Sequence, residues 1–302
     1  MPTGAVASAS TAPPPKYVST TGHDSGGCWL RHPCATIKYA LTKAAPGATI
    51  HVAAGTYHQT VQINQPVTIA GAGASKTVLD GAGLDPGGSY YGIVFVGNTS
   101  GSVTVSGFSI TNPFPYAYTA AEPEAVALAN HTTSASVTIL DNVISEGTAP
   151  DPNRSTDFPI GIDTFQNSAR TTIRGNTIEG FFQGALIEDN GPANVVGNTF
   201  KSMIANHTGA STSTVTYPGE GVFFLSDLNE TLKGQNANHN LFTGYGGLGL
   251  IAEAGYNNGN CTTTPCNGSI QGNFADNSFS MKGATGGEAI DLKADYTGNT
   301  LT

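Results

Sequence analysis

Two carboxylates of this 302-residue chain stand two positions apart in two similar segments, one at the third residue and the other at the fifth. Asp163 lies in GIDTFQN (161–167) and Glu188 lies in GALIEDN (184–190). Two carboxyls about 5–9 Å apart can protonate a leaving oxygen and activate a nucleophile, which is the chemistry that cleaves a glycosidic bond. Because the two residues are far apart in sequence, this chemistry requires a fold that places their segments side by side.

The two segments belong to a repeat in which an apolar run is followed by Gly-Asn or Asp-Asn and a second short run. Examples are TTIRGNTIEG (171–180) and NVVGNTFKS (194–202). We assign the turn position to Gly71, Gly107, Asn142, Asn176, Asn198, Asn240 and Asn277. Stacked coils explain the repeat, because each short strand can pair with its counterpart about 4.8 Å away in the next coil. We expect the Asn side chains to form a hydrogen-bonded ladder, since Asn also tolerates a left-handed backbone at a turn.

The composition favours many short strands and excludes several functions. Gly accounts for 39 residues and charged residues for only 11%, so long amphipathic helices are not expected. The net charge is −9, and the 12 Lys and Arg residues form no basic cluster for nucleic acid. The sequence contains no run of 18 apolar residues, which is the length that a membrane-spanning helix needs. We therefore expect neither nucleic acid nor membrane as a partner.

The repeat resembles the right-handed parallel β-helix of the pectate lyase-like superfamily over roughly residues 48–302. The stretch CATIKYALTKAAPGATIHVAAGTYHQTVQI is similar to the beginning of many such proteins, where a short helix, here at about 35–44, caps the first coil. The resemblance implies an all-β fold, a single-stranded right-handed parallel β-helix with a short N-terminal capping helix over 17–302. Residues 1–16 are then a disordered or linker segment. A β-sandwich does not explain an Asn in the same slot of five repeats.

Strand alternation divides the segments into inward and outward positions. The first outward row is Val94, Ala127, Asp163, Leu186, Phe223, Ile251 and Asp291. The second outward row is Val96, Ala129, Phe165, Glu188, Leu225, Glu253 and Lys293. Asp163 and Glu188 are then diagonal neighbours with Cα atoms roughly 7–8 Å apart. Apolar neighbours would keep one carboxyl protonated while the more solvated one stays ionised, as acid and base roles require. The alternative is that both are ordinary exposed polar residues.

A second acidic group on the same face contains Glu253 and Asp291, which we add to the catalytic candidates. Lys293 is a candidate substrate contact, although a surface ion pair with Glu253 is the simpler explanation. Asp189 follows a strand and is another candidate substrate contact. The simpler explanation of Asp189 is that Asp is a common turn residue, and calcium binding at this turn is the alternative. We expect no other cofactor and assign no residue to a metal.

Four aromatic residues are candidate platforms for sugar rings. Phe165 and Phe223 lie in the outward rows, and Tyr116 and Tyr118 lie in the long insertion TNPFPYAYTAAEP (111–123). Aromatic faces bind the apolar faces of sugars, but packing of the insertion onto the coil would also explain them.

The four cysteines form two close pairs, in CWLRHPC and CTTTPC. This spacing favours two local disulfides, Cys28–Cys34 and Cys261–Cys266, over a zinc site. Disulfides and the small, Pro-rich start MPTGAVASASTAPPPK predict a secreted or extracellular protein. The last segment, ADYTGNTLT, stops in mid-coil. We expect a monomer, with oligomerisation through the C-terminal coil as the alternative.

Three functions remain open, all with a polysaccharide or oligosaccharide as partner. The first is a secreted glycoside hydrolase or transglycosidase that uses Asp163 and Glu188. The second is a non-catalytic glycan-binding or surface structural module, and the third is a polysaccharide lyase. Polygalacturonases of this fold carry paired Asp motifs and a Gly-His-Gly segment, which this sequence lacks, and pectate lyases use Arg or Lys as base. The net charge of −9 also suits a neutral glycan better than an anionic one.

Overall fold

Short strands follow one another along most of the chain and return to the same three sheets in every coil. In the computed structural model the described residues are 12–84, 92–97, 99–112, 124–129, 136–147, 159–165, 169–188, 191–204, 206–208, 215–217, 219–227, 231–244, 247–256, 269–280, 288–294 and 300–301. Among them, no helix has the length and apolarity that a bilayer crossing requires.

The elements follow in chain order. They are β1 (Lys16–Val18), α1 (Ile37–Lys43), β2 (Ala48–Val52), β3 (Gly55–Tyr57), β4 (Val61–Ile63), β5 (Val67–Gly71), β6 (Thr77–Asp80), β7 (Gly92–Gly97), β8 (Ser102–Ser106), β9 (Ser109–Thr111), β10 (Glu124–Ala129), β11 (Ser136–Leu140), β12 (Val143–Ser145), β13 (Ile160–Phe165), β14 (Arg170–Arg174), β15 (Thr177–Glu179), β16 (Gln183–Glu188), β17 (Ala193–Val196), β18 (Thr199–Lys201), β19 (Asn206–Thr208), β20 (Val215–Tyr217), β21 (Glu220–Asp227), β22 (Thr231–Asn238), β23 (Leu241–Thr243), β24 (Leu248–Tyr256), β25 (Ser269–Asn273), β26 (Ser278–Ser280), β27 (Glu288–Ala294) and β28 (Thr300–Leu301).

Three parallel sheets run along the coil axis. Sheet A has ten strands in the order β1-β2-β5-β8-β11-β14-β17-β22-β25-β28. Sheet B has eight, β4-β7-β10-β13-β16-β21-β24-β27, and sheet C has eight, β3-β6-β9-β12-β15-β18-β23-β26. The strands β19 and β20 pair separately as an antiparallel ribbon. From β2 onward, the strands other than β19 and β20 join sheets A, C and B in turn, so the predicted right-handed parallel β-helix is confirmed.

The predicted Asn ladder lies between sheets A and C. Its members are Asn142, Asn176, Asn198, Asn240 and Asn277. From Asn142 to Asn240, each backbone N–H and each Nδ2 donates to the Oδ1 of the next Asn at 2.9–3.1 Å. In all five, Nδ2 also donates to a main-chain carbonyl at 2.7–3.1 Å. The ladder therefore satisfies buried backbone groups of successive coils where the chain turns.

The alignment of the turn position in the early coils was wrong by one residue. The N–H of Phe108 donates to Asn142 Oδ1 at 3.0 Å, so Phe108, and not Gly107, stands in the ladder position. The left-handed backbone belongs to the residue before each ladder position, which is Phe108 in the first of these coils and Asn in the others. These residues are Gly107, Asp141, Gly175, Gly197, His239 and Asp276, with φ between 53° and 75°. Gly, Asp and His alternate there because that position needs a positive φ, while the Asn itself is retained for its amide.

The inside of the coil explains why the segments of sheet B begin with glycine. Phe200, Phe242 and Phe279 stack in successive coils with ring centroids 5.1 and 4.9 Å apart. A Cβ on Gly184 would lie 2.6 Å from a Phe200 ring carbon, and one on Gly221 would lie 2.5 Å from the ring of Phe242. The glycines leave room for the phenyl stack, and sheet B can lie close to it.

The N-terminal end of the coil is covered by α1 and by a disulfide loop. The N-cap residue Thr36 accepts the Tyr39 N–H at 3.1 Å, and α1 buries Ile37, Ala40 and Leu41. The predicted disulfide Cys28–Cys34 is present. Its loop bonds to the main chain of Tyr17 in β1, the outermost strand of sheet A. Covering this edge removes a row of unpaired backbone groups.

Candidate functional site

The register of sheet B places the two predicted carboxylates on adjacent strands. Asp163 on β13 pairs with Leu186 on β16, and Glu188 on β16 pairs with Leu225 on β21. Asp163 and Glu188, here called the acid pair, are therefore diagonal neighbours. Their Cα atoms are roughly 7–8 Å apart in such an arrangement.

The outward rows were misassigned in the first of these coils. Val94 and Val96 are fully buried inside the coil, and Phe95 is the register partner of Ala127. The first row therefore contains Phe95 and the second contains Gly97. The run GIVFVGN is apolar at almost every position, so alternation cannot show which residues face outward. The polar Asp163 provided that information in the later coil.

The two members of the acid pair have different surroundings. Asp163 is 7% exposed and lies between Ala127 and Leu186 in the first row. Glu188 is half-buried. Its neighbour in the second row is Phe165, which is 46% exposed. The face therefore combines a buried carboxyl, a more accessible carboxyl and an aromatic ring that a ligand can contact.

A polar residue inside the coil positions the backbone beside Glu188. The hydroxyl of the fully buried Thr164 donates to the Leu186 carbonyl oxygen at 3.3 Å and accepts the Glu188 N–H at 3.3 Å. Both contacts cross from β13 to β16. Since Thr164 follows Asp163 directly, it fixes the two strands that carry the acid pair.

Part of the outer face of sheet B is buried rather than open. Ile160, Leu186 and Leu225 form a second hydrophobic cluster outside the coil, and Phe223 packs against it. Phe223 thus has a packing role in addition to its position in the first row. The long insertions that enter these strands lie largely outside the described residues.

The strand register also brings the members of the second acidic group close to one another. Asp291 on β27 pairs with Ile251, and Glu253 on β24 pairs with Lys293. Glu253 and Asp291 are therefore a second diagonal pair, and Glu253 is only 9% exposed. Glu188 and Glu253 are two strands apart, roughly 10 Å. The side chain of Lys293 lies outside the described part of the chain.

Two buried carboxylates on the same sheet were missed from the sequence. Glu124 and Glu220 begin strands of sheet B, in the same row as Ile160 and Gln183. Both are buried, and Gln183 Nε2 donates to Glu220 at 2.7 Å. The signal in the sequence is the polar residue in front of the glycine in EGVFFLSD (220–227).

The remaining candidates stay predictions. Tyr116, Tyr118, Asp189, Cys261 and Cys266 lie outside the described residues. Within the ranges given above, no three His, Cys, Asp or Glu side chains come together in a way that could hold a metal ion.

Comparisons with known proteins extend the structural result only as far as the fold. No protein-family model and no curated protein matches the sequence. The Escherichia coli protein ybhc is similar in structure, with 13% identity, a TM-score of 0.53, and coverage of 100% of this chain and 87% of that chain. A rhamnogalacturonan lyase has 10% identity, a TM-score of 0.51, and coverage of 95% and 86%. Pectin methylesterase PemA from Erwinia chrysanthemi has 11% identity, a TM-score of 0.43, and coverage of 91% and 92%.

Proposed function

We propose that this chain is a secreted carbohydrate-active enzyme that cleaves a glycosidic bond of a polysaccharide with Asp163 and Glu188. The observation that carries the proposal is the register of sheet B, which sets these carboxylates diagonally on one outward face. The fold similarity to a rhamnogalacturonan lyase supports a polysaccharide as the substrate class. The Cys28–Cys34 disulfide supports an oxidising, extracellular location.

The surroundings of the acid pair suggest a division of roles. Burial favours the neutral form of a carboxyl, so we assign proton donation to Asp163, the more buried of the two. Asp163 would protonate the glycosidic oxygen as the bond to the anomeric carbon breaks. Glu188 would attack that carbon or take a proton from the attacking water, and the separation of the carboxyls determines which. Phe165 would support a sugar ring through its exposed face.

A panel of neutral and acidic polysaccharides tests this proposal, with product masses and new reducing ends as the readout. We expect the wild type to release new reducing ends. Glu188→Gln should lower the rate by about 100-fold or more, which is the typical contribution of an acid–base residue. Glu179→Gln is the matched control, because Glu179 lies on sheet C in an ion pair with Lys201 at 2.9 Å. Full activity of Glu188→Gln would overturn the role of the acid pair.

A non-catalytic glycan-binding module is the second candidate, favoured by the low exposure of Asp163. Because Asp163 is only 7% exposed, its carboxyl would contact a glycosidic oxygen only after the surrounding residues move. Binding to a panel member without any product would support the module and contradict the enzyme. Unsaturated products would instead identify a lyase.

A further inference from the structure

A polar pocket of about 320 Å³ lies between α1 and β4, at the N-terminal end of sheet B. Lys38 and Thr42 of α1 line one side, and Thr60, Gln62 and Asn64 line the other. Gln62 and Asn64 are exposed, whereas most residues further along the outward rows are buried. The accessible part of this face therefore includes its N-terminal end.

The pocket is in line with the acid pair. Gln62 on β4 pairs with Phe95, Phe95 pairs with Ala127, and Ala127 pairs with Asp163. Three strand spacings separate Gln62 from Asp163, which is about 14 Å. Of the two outward residues between them, Phe95 is only partly buried and Ala127 is 5% exposed. A glycan that lies along the outward rows from the acid pair would reach the pocket, and α1 would stop it there.

The amides of the pocket are held in place by the neighbouring coil. The Asn64 amide satisfies its neighbours when its nitrogen donates to the Gly97 carbonyl oxygen at 2.9 Å and its oxygen accepts from Gln62 Nε2 at 3.1 Å. Among the described contacts, this leaves the side-chain Oε1 of Gln62 and the second hydrogen of its Nε2 for a ligand. Together with the Thr60 hydroxyl they offer both donors and acceptors to sugar hydroxyls.

The charge of this end differs from that of the chain as a whole. Residues 12–84 contain Lys16, Arg31, Lys38, Lys43 and Lys76 against Asp24 and Asp80. Five positive and two negative charges give +3 with His neutral, whereas the chain carries −9. Lys38 is the one charged residue that lines the pocket, and no described carboxylate forms an ion pair with it. An anionic group is therefore favoured in the pocket although it is disfavoured beside the acid pair.

We propose that this pocket is a subsite for a carboxylate-bearing sugar, with the Lys38 ammonium as the ion partner of the carboxylate. The inference rests on the proposed function, because it takes the outer face of sheet B as the glycan path. It also refines the substrate: the glycan is neutral where it crosses the acid pair and carries an acidic residue at the end that meets α1.

Glucuronic acid and glucose are the test ligands, because they differ only in the carboxylate that replaces the hydroxymethyl group. Binding is measured by chemical-shift titration of the ¹⁵N-labelled full chain. We expect glucuronate to bind about 5–10-fold more tightly than glucose at low salt, with the preference shrinking at 0.5 M NaCl. Lys38→Gln should abolish the preference and Lys38→Arg should retain it. Lys43→Gln is the matched control, since Lys43 is on the same helix with its Nζ over the Tyr39 ring at 4.8 Å.

Equal binding of the two sugars by the wild type would overturn the subsite. Equal losses of preference in Lys38→Gln and Lys43→Gln would also overturn it, because they would reflect only the general charge of this end. The result is independent of catalysis: Glu188→Gln should leave glucuronate binding unchanged. A pocket that binds glucuronate in a protein that cleaves no glycan would contradict the proposed function alone.

Discussion

Replacing Asn198 by Ala should destabilise the coil far more than its small change in volume suggests. Asn198 is 1% exposed, and its side chain makes four hydrogen bonds. Its Oδ1 accepts from the Asn176 N–H at 2.9 Å and from Asn176 Nδ2 at 3.0 Å. Its Nδ2 donates to the Ile173 carbonyl oxygen at 2.8 Å and to Asn240 Oδ1 at 3.1 Å. At about 0.5–1.5 kcal/mol net for each bond, the expected loss in the free energy of unfolding is about 2–6 kcal/mol.

Urea denaturation measures this loss, and the neighbouring Asn194 provides the control. Asn194 is only partly buried on the outer face of sheet A, where it accepts one hydrogen bond, from Asn236 Nδ2 at 2.8 Å. Asn194→Ala should therefore cost less than about 1 kcal/mol. If the two substitutions lowered the free energy of unfolding equally, the ladder would not have the stabilising role described above.

Two further predictions concern the core and the pH dependence of stability. Gly184→Ala should lower the urea midpoint by the equivalent of about 1–3 kcal/mol, because its Cβ would lie 2.6 Å from both a Phe200 ring carbon and the Gly221 carbonyl oxygen; an unchanged midpoint would contradict the close packing of this glycine. Burial alone would raise the pKa of Asp80, but hydrogen bonds from Asn112 and the Ala82 N–H, together with His58, lower that pKa below its ordinary value of 3.8. The ionised carboxylate therefore adds stability above about pH 4 that is lost as the pH falls through the lowered pKa, so Asp80→Asn should lose less stability than the wild type between pH 6 and pH 3. Equal losses in the two proteins would contradict this.

The repeated features of the fold were predictable from sequence because they recur. Asn176 and Asn198 occupy the same slot in consecutive coils, and only a stacked coil gives them a common role. Within a single apolar segment, the residues that face outward could not be predicted, as Val94 and Phe95 demonstrate. Their neighbours are equally apolar, and only the register with β10 shows which residue faces outward.

The candidate site was predictable only where a polar residue interrupts an apolar run. Asp163 and Glu188 stand out in this way, and the register of sheet B places them as expected. The pocket at Lys38 could not be found from sequence, because it forms between α1 and β4, two elements with no common pattern. The burial of Asp163 was also hidden, since it depends on tertiary packing around the coil.

The central claim is that two carboxyls from adjacent coils act as one catalytic unit. Its most direct test is the kcat/KM of Asp163→Asn, Glu188→Gln and the double variant on a polysaccharide that the wild type cleaves. Each single variant should lose about 10²–10⁴-fold. The double variant should lose no more than the worse single variant, because residues that act as a unit are not additive. Losses that multiply in the double variant, or a folded single variant with full activity, would contradict the claim.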